Sequence, residues 1–140
     1  MRQLFNWLFR KHPSQAVLPN PQDDLPNRFP VWEAMSELWL ERNIDKTVVA
    51  RILSESPYTV DALNEICLYE VAPHIQQHQD TQSSGWIFDV DWLSNRVVTT
   101  IRQPDWRRWV WRRRKSLMAT VEKEWNAILS AVKYNRRQSN

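Results

Sequence analysis

The twelve residues PDWRRWVWRRRK, Pro104 to Lys115, carry three tryptophans and six basic side chains. Guanidinium groups bind carboxylate and phosphate through paired N–H donors, and an indole beside them supplies a flat apolar platform. The stretch also opens a helix, whose first turn presents unpaired N–H groups to anions. Trp106, Arg107, Arg108, Trp109, Trp111, Arg112, Arg113 and Lys115 are therefore candidates for an interaction surface that receives phosphate, an anionic lipid headgroup or carboxylates. No orientation of one helix buries all three tryptophans and leaves every guanidinium, Arg114 included, in water. The first turns are expected to border solvent or a partner. A second reading stands beside this one. Arginine stems can lie over indole rings with their heads in water, and Glu33, Glu37 and Glu41 could neutralise the cluster within the same molecule.

Other residues able to do chemistry are sparse. Cys67, His74 and His78 fall at i, i+7 and i+11, which on an unbroken helix would put zinc-type ligands on one face. Pro73 interrupts that helix, and no fourth ligand follows at a suitable spacing. A buried cysteine and two loop histidines are expected, and no metal. Asp89 and Asp91 in FDVDW resemble a carboxylate pair, but an aspartate just before a helical run caps the free N–H groups of the first turn. The SPYT turn, Ser56 to Thr59, reads as a helix stop and a helix start, with its tyrosine as a packing residue. No zinc-protease, nucleophile-elbow or paired-cysteine motif occurs. A chain with a single glycine lacks the glycine-rich loops that cradle phosphates and the turns of tight hairpins. No catalytic residue and no cofactor is expected.

Charge is distributed unevenly. Residues 1–101 hold eight Lys/Arg against thirteen Asp/Glu, a net −5, and residues 102–140 hold eleven against three, a net +8. The basic end is thus aimed at an anionic partner or at the acidic half of its own chain. Nine tryptophans exceed what one small core absorbs, so some are expected at a surface or an interface. The lone Cys67 excludes an internal disulfide, and the apolar run near the start is too short for a signal peptide or a membrane span. The cytoplasm is the expected compartment.

The elements that must position these residues read as helices. Residues 1–11 form a short amphipathic helix with Leu4, Phe5 and Leu8 on one side. Prolines 13, 19, 21, 26 and 30 make residues 12–29 an extended tether without regular structure. A helical domain spans 30–136, with Pro30 at the first helical position. Val31, Met35, Leu38 and Trp39 face its core, opposite Glu33, Glu37 and Glu41. Asp45 caps a helix bearing Val48, Val49, Ile52 and Leu53, and Thr59 caps one bearing Leu63, Ile66, Cys67 and Val71. Pro73 breaks or kinks the latter. GWIFD is brief and could be extended. Asp89 caps a helix with Trp92 or Leu93, Val97 and Ile101 inward; its β-branched end leaves a strand as the alternative. One long helix then runs from Pro104 to about Arg136, with Trp111, Met118, Trp125 and Val132 recurring every seven residues and Arg114, Val121 and Ile128 between them. The fold class is all-α, a single compact domain of about five helices.

VWEAMSELWLE, SPYTVDALNEICLYEVAP and GWIFDVDWL, in that order, resemble an uncharacterised family of small bacterial proteins, a domain of unknown function. The resemblance covers roughly residues 30–115. It departs at Trp86-Ile87-Phe88, where the family's segment carries a glycine between the aromatic residues. It implies a bacterial, helical, cytosolic protein and carries no activity with it. The expected function is that of a non-enzymatic protein–protein interaction module, of an immunity or toxin-neutralising type. The alternative is a nucleic-acid or anionic-membrane-surface binder that uses the Trp/Arg-rich last helix, with peripheral membrane contact also open to the N-terminal helix. Oligomeric state is not legible in the sequence.

Overall fold

The computed structural model describes residues 18–39, 45–81 and 89–139. The expected N-terminal helix, residues 12–17 of the tether, Glu41, Asn43 and the Trp86–Phe88 segment lie outside these. All regular structure among the described residues is helical: α1 (Leu25–Ser36), α2 (Lys46–Glu55), α3 (Val60–Ile66), α4 (Ala72–Thr81), α5 (Val90–Thr100), α6 (Trp106–Arg112), α7 (Arg114–Met118) and α8 (Glu122–Gln138). A 3-10 turn, Glu37–Trp39, extends α1, and a π-helical turn, Cys67–Val71, joins α3 to α4. The single all-α domain expected from the pattern is what forms.

The capping residues do what their positions require. Asp45 accepts from the N–H groups of Thr47 and Val48, Thr59 from that of Ala62, and Asp89 from those of Asp91 and Trp92. Each closes donors that the first turn of a helix leaves open. The Asp89/Asp91 pair is thus a cap, and the β-branched end of α5 is helix rather than strand.

The centre of the domain is the rod α3–π turn–α4. Every residue from Ala62 to Ile75 is buried, and helices pack around it on all sides. Four of those residues are polar, and each meets a partner from a different surrounding element. Asn64 accepts from Trp125 Nε1 of α8 at 2.9 Å, and Glu65 pairs with Arg107 of α6 at 2.5 Å. Glu70 binds Arg28 of α1, and His74 Nε2 lies 3.2 Å from Thr100 Oγ1 of α5. A buried polar group without such a partner would cost its desolvation outright, so these pairs fix which helix packs where. Pro73 does not end the rod. It has no N–H for the Tyr69 carbonyl four residues back, and Trp106 Nε1 donates to that carbonyl at 3.4 Å.

Three expectations are corrected. Residues 21–29 are not a tether: Pro21–Asp23 form a 3-10 turn and α1 begins at Leu25, ahead of Pro30. Pro26 sits in the first turn, where no donor is needed, and the carbonyl that Pro30 leaves open is that of Pro26, in the same turn. The last helix is not continuous. It breaks at Arg113 and again over residues 119–121, where Thr120 and Val121, β-branched, hold helix weakly and Glu122 and Glu124 favour a fresh N-terminus. The seven-residue seam survives the breaks, with Trp111, Met118, Val121, Trp125, Ile128 and Val132 all buried. Ile101 and Val48, expected inward, are 40% and 36% exposed; Leu93 and Val97 take the buried line of α5.

Candidate functional site

Two arginine–aromatic clusters stand out, and the first was missed by sequence reasoning. Arg28, on α1, is 1% exposed and has all its donors directed at protein acceptors. Nε and one terminal nitrogen grip Glu70 at 3.1 and 3.0 Å, the paired geometry a guanidinium offers a carboxylate. The other nitrogen donates to Asp24 at 2.5 Å and faces the Tyr58 hydroxyl at 3.5 Å, and the Pro19 carbonyl accepts at 3.1 Å. Trp32 Nε1 donates to Glu70 at 2.8 Å, and the Tyr58 hydroxyl donates to Asp24. Burial pushes the Glu70 carboxyl up against the pull of Arg28 and Trp32. Burial also raises Asp24, but hydrogen bonds from Tyr58, Asn27 and Arg28 outweigh it and hold that carboxyl below its ordinary value. Burial and the Asp24 hydrogen bond take the Tyr58 phenol up to about 12. Tyr58 and Glu70 belong to the SPY and EVAP motifs and Trp32 to VWEA. Tyr58 and Glu70 meet at the Arg28 guanidinium and Trp32 joins through Glu70; the sequence carried no signal for Arg28 itself, since an arginine set in a proline-rich run reads as solvated.

The second cluster is the predicted one, and the structure divides it. Arg107 reaches inward while its side chain stays 40% exposed: it pairs with Glu65, itself 2% exposed, and lies 3.9 Å from the Tyr69 ring centroid. Arg114 folds back over Trp111, 4.4 Å from the ring, and donates to the Trp111 carbonyl at 2.6 Å. Trp111 is buried in the seam, which removes it from the interaction candidates: a ring that completes the core is not open to a partner. Arg108, Arg112, Arg113 and Lys115 are exposed, and Trp106 and Trp109 are half-buried. Arg108 lies 3.8 Å from Asp105, both largely in water. Glu65, which the sequence did not single out, meets the cluster from below through Arg107. Asp105 takes a left-handed conformation, φ 65, tolerated by aspartate, and so turns the chain into α6.

Beneath the exposed cations the rings form a stack. His74 is parallel to Trp106 with centroids 5.5 Å apart, Trp106 to Trp109 at 5.2 Å, and the Arg113 guanidinium closes the pile 4.4 Å above Trp109. Offset ring pairs and a guanidinium on an indole face are each attractive. Burial, with the Arg96 charge, lowers His74 to about 4, so the bottom ring of the stack is neutral at pH 7. Burial likewise pushes the Cys67 thiol up. Cys67 and His74 are locked in the core, the side chain of His78 lies outside the description, and no group of three metal-ligating residues occurs among the described residues. No described helix is long and apolar enough to cross a membrane.

The family profile for a domain of unknown function, DUF7079, matches residues 26–131. The chain belongs to that family, and the match takes in Arg28, Tyr58, Glu70 and the whole Trp/Arg stretch. No curated protein and no solved structure matches the chain.

Proposed function

We propose that this member of the DUF7079 family is a non-enzymatic interaction module of the bacterial cytoplasm, whose Trp/Arg face receives an acidic surface of a partner protein. The observation that carries the reading is the division of the cluster. Arg107 and Arg114 lie against Glu65, Tyr69 and Trp111, whereas Arg108, Arg112 and Arg113 stand exposed, Arg113 over the Trp109 ring. Arg108 and Arg112 follow i, i+4 on α6. Tryptophan and arginine are the residues over-represented among those that dominate binding energy. A ring held in place by Trp106 and His74 loses little freedom when a partner covers it. A small domain offering one preformed cationic face fits a neutraliser of the immunity or antitoxin type, which blocks an acidic site by covering it.

Affinity capture from the native host tests this, with the wild-type chain and Arg108→Glu/Arg112→Glu as baits and duplex DNA as a separate probe. The reading expects a protein recovered by wild type and lost by the variant, with DNA binding weak in both. Recovery of the same proteins by both baits contradicts it. DNA binding that the double variant abolishes would transfer the face to nucleic acid.

A further inference from the structure

We propose that the groove between α1 and α2 is the docking site of the chain's own N-terminal segment, residues 2–11. The groove measures ≈ 520 Å³ and has an apolar floor that includes Ala34, Val48 and Ile52, with Glu33, Glu37 and Asp45 around it. Val48 shows the face to be unfinished. It belongs to the apolar positions of α2, yet is 36% exposed, while its neighbour Val49 is buried against the core. The occupant that completes this face must be apolar on one side and basic at its edges.

The segment RQLFNWLFRK, Arg2 to Lys11, has that composition. Leu4, Phe5 and Leu8 fall on one side at helical spacing, and Arg2, Arg10 and Lys11 bring three positive charges to a groove whose acidic lining includes Glu33 and Asp45. An amphipathic helix laid in a groove is a common mode of recognition. The connection is short enough to hold it there. Arg28 anchors the Pro19 carbonyl, so the origin of the N-terminal chain is fixed on α1. Glu33 and Glu37 follow on the same helix, about 8 and 14 Å further along its axis at 1.5 Å per residue. Residues 12–17 reach at most about 20 Å, which spans the distance without leaving the segment far to wander. Joined in this way the segment meets the groove at high effective concentration, so modest contacts suffice. The inference is independent of the Trp/Arg face.

Paramagnetic broadening in the full chain tests it. Lys46→Cys places a nitroxide on an exposed position beside the groove, and Cys67, buried, does not compete for the label. The amide signals of residues 4–9 should lose more than half their intensity. Glu33→Lys should restore them, and so should Arg10→Glu/Lys11→Glu. Combining the two reversals should bring the broadening back. Full-intensity signals in the otherwise wild-type chain overturn the proposal, as does broadening that persists in both charge reversals. Broadening seen only between labelled and isotope-enriched molecules in a mixed sample also overturns it and assigns the groove to a second copy.

Discussion

Arg28 and Arg113 are the same residue type, each over an aromatic ring, and they do opposite work. Arg28 lies 5.3 Å from the Tyr58 centroid and Arg113 4.4 Å from that of Trp109. The difference is water. Arg28 is buried and divides its donors among Glu70, Asp24, Tyr58 and Pro19, so nothing of it is left for a partner. Arg113 is exposed, and its ring contact orders the side chain without consuming its N–H groups. Burial turns an arginine–aromatic cluster into a joint; exposure leaves a preformed surface. Composition alone would have ranked the basic stretch first in both respects.

The largest effect that could break this contrast is at the joint. Glu70→Ala leaves the Arg28 charge buried without its paired acceptor, and the expected loss is about 3–5 kcal/mol. That is a large share of a small domain's stability. A thermal melt close to wild type would show that the cluster is not a joint. Next in size is acid. His74 is held near 4, against 6.5 when unfolded, so the unfolded chain binds the extra proton. Stability is fully present above about 6.5, falls as the pH drops towards 4, and loses on the order of 3 kcal/mol from this residue. Asp24, with its lowered carboxyl, adds loss at still lower pH, and Glu70, raised, works against it. Urea melts of wild type and His74→Phe between pH 7 and pH 4 check the assignment: the phenylalanine variant should lose less of its stability over that interval.

Smaller effects sharpen the contrast. Trp106→Phe keeps a ring in the stack but removes the donor to the Tyr69 carbonyl that Pro73 leaves open, and the expected cost is about 1 kcal/mol. Arg113→Ala should cost about 0.5–1 kcal/mol, the range for an exposed cation on a ring. Denaturant midpoints of the two variants order them; the reverse order would mean that the stack depends on its cap more than on its middle ring.

Much of the helical plan was legible because caps and periodicity are local. Asp45, Thr59 and Asp89 cap as their positions require, and the Trp111 to Val132 seam is buried in the predicted phase. The breaks at Arg113 and at residues 119–121 were hidden by that same seam, whose seven-residue spacing runs through them undisturbed. The joint was hidden for a different reason. Its members, Asp24, Arg28, Trp32, Tyr58 and Glu70, are separated by up to 46 residues, and two of them lie among prolines that read locally as a tether. The Trp/Arg stretch was legible as a cluster but not in its division, because that division depends on Glu65 and Tyr69, brought beneath Arg107 only by packing.

The central claim is that the exposed half of the Trp/Arg stretch binds and does not support the fold. Arg108→Glu/Arg112→Glu tests it most directly, through a thermal melt and a salt series of binding constants for the captured partner. The stability change should stay within about 0.5 kcal/mol, as for surface positions. Affinity should fall, and fall most at low salt, where charge attraction is least screened. A destabilised variant that still binds with the wild-type constant at every salt concentration would contradict the account.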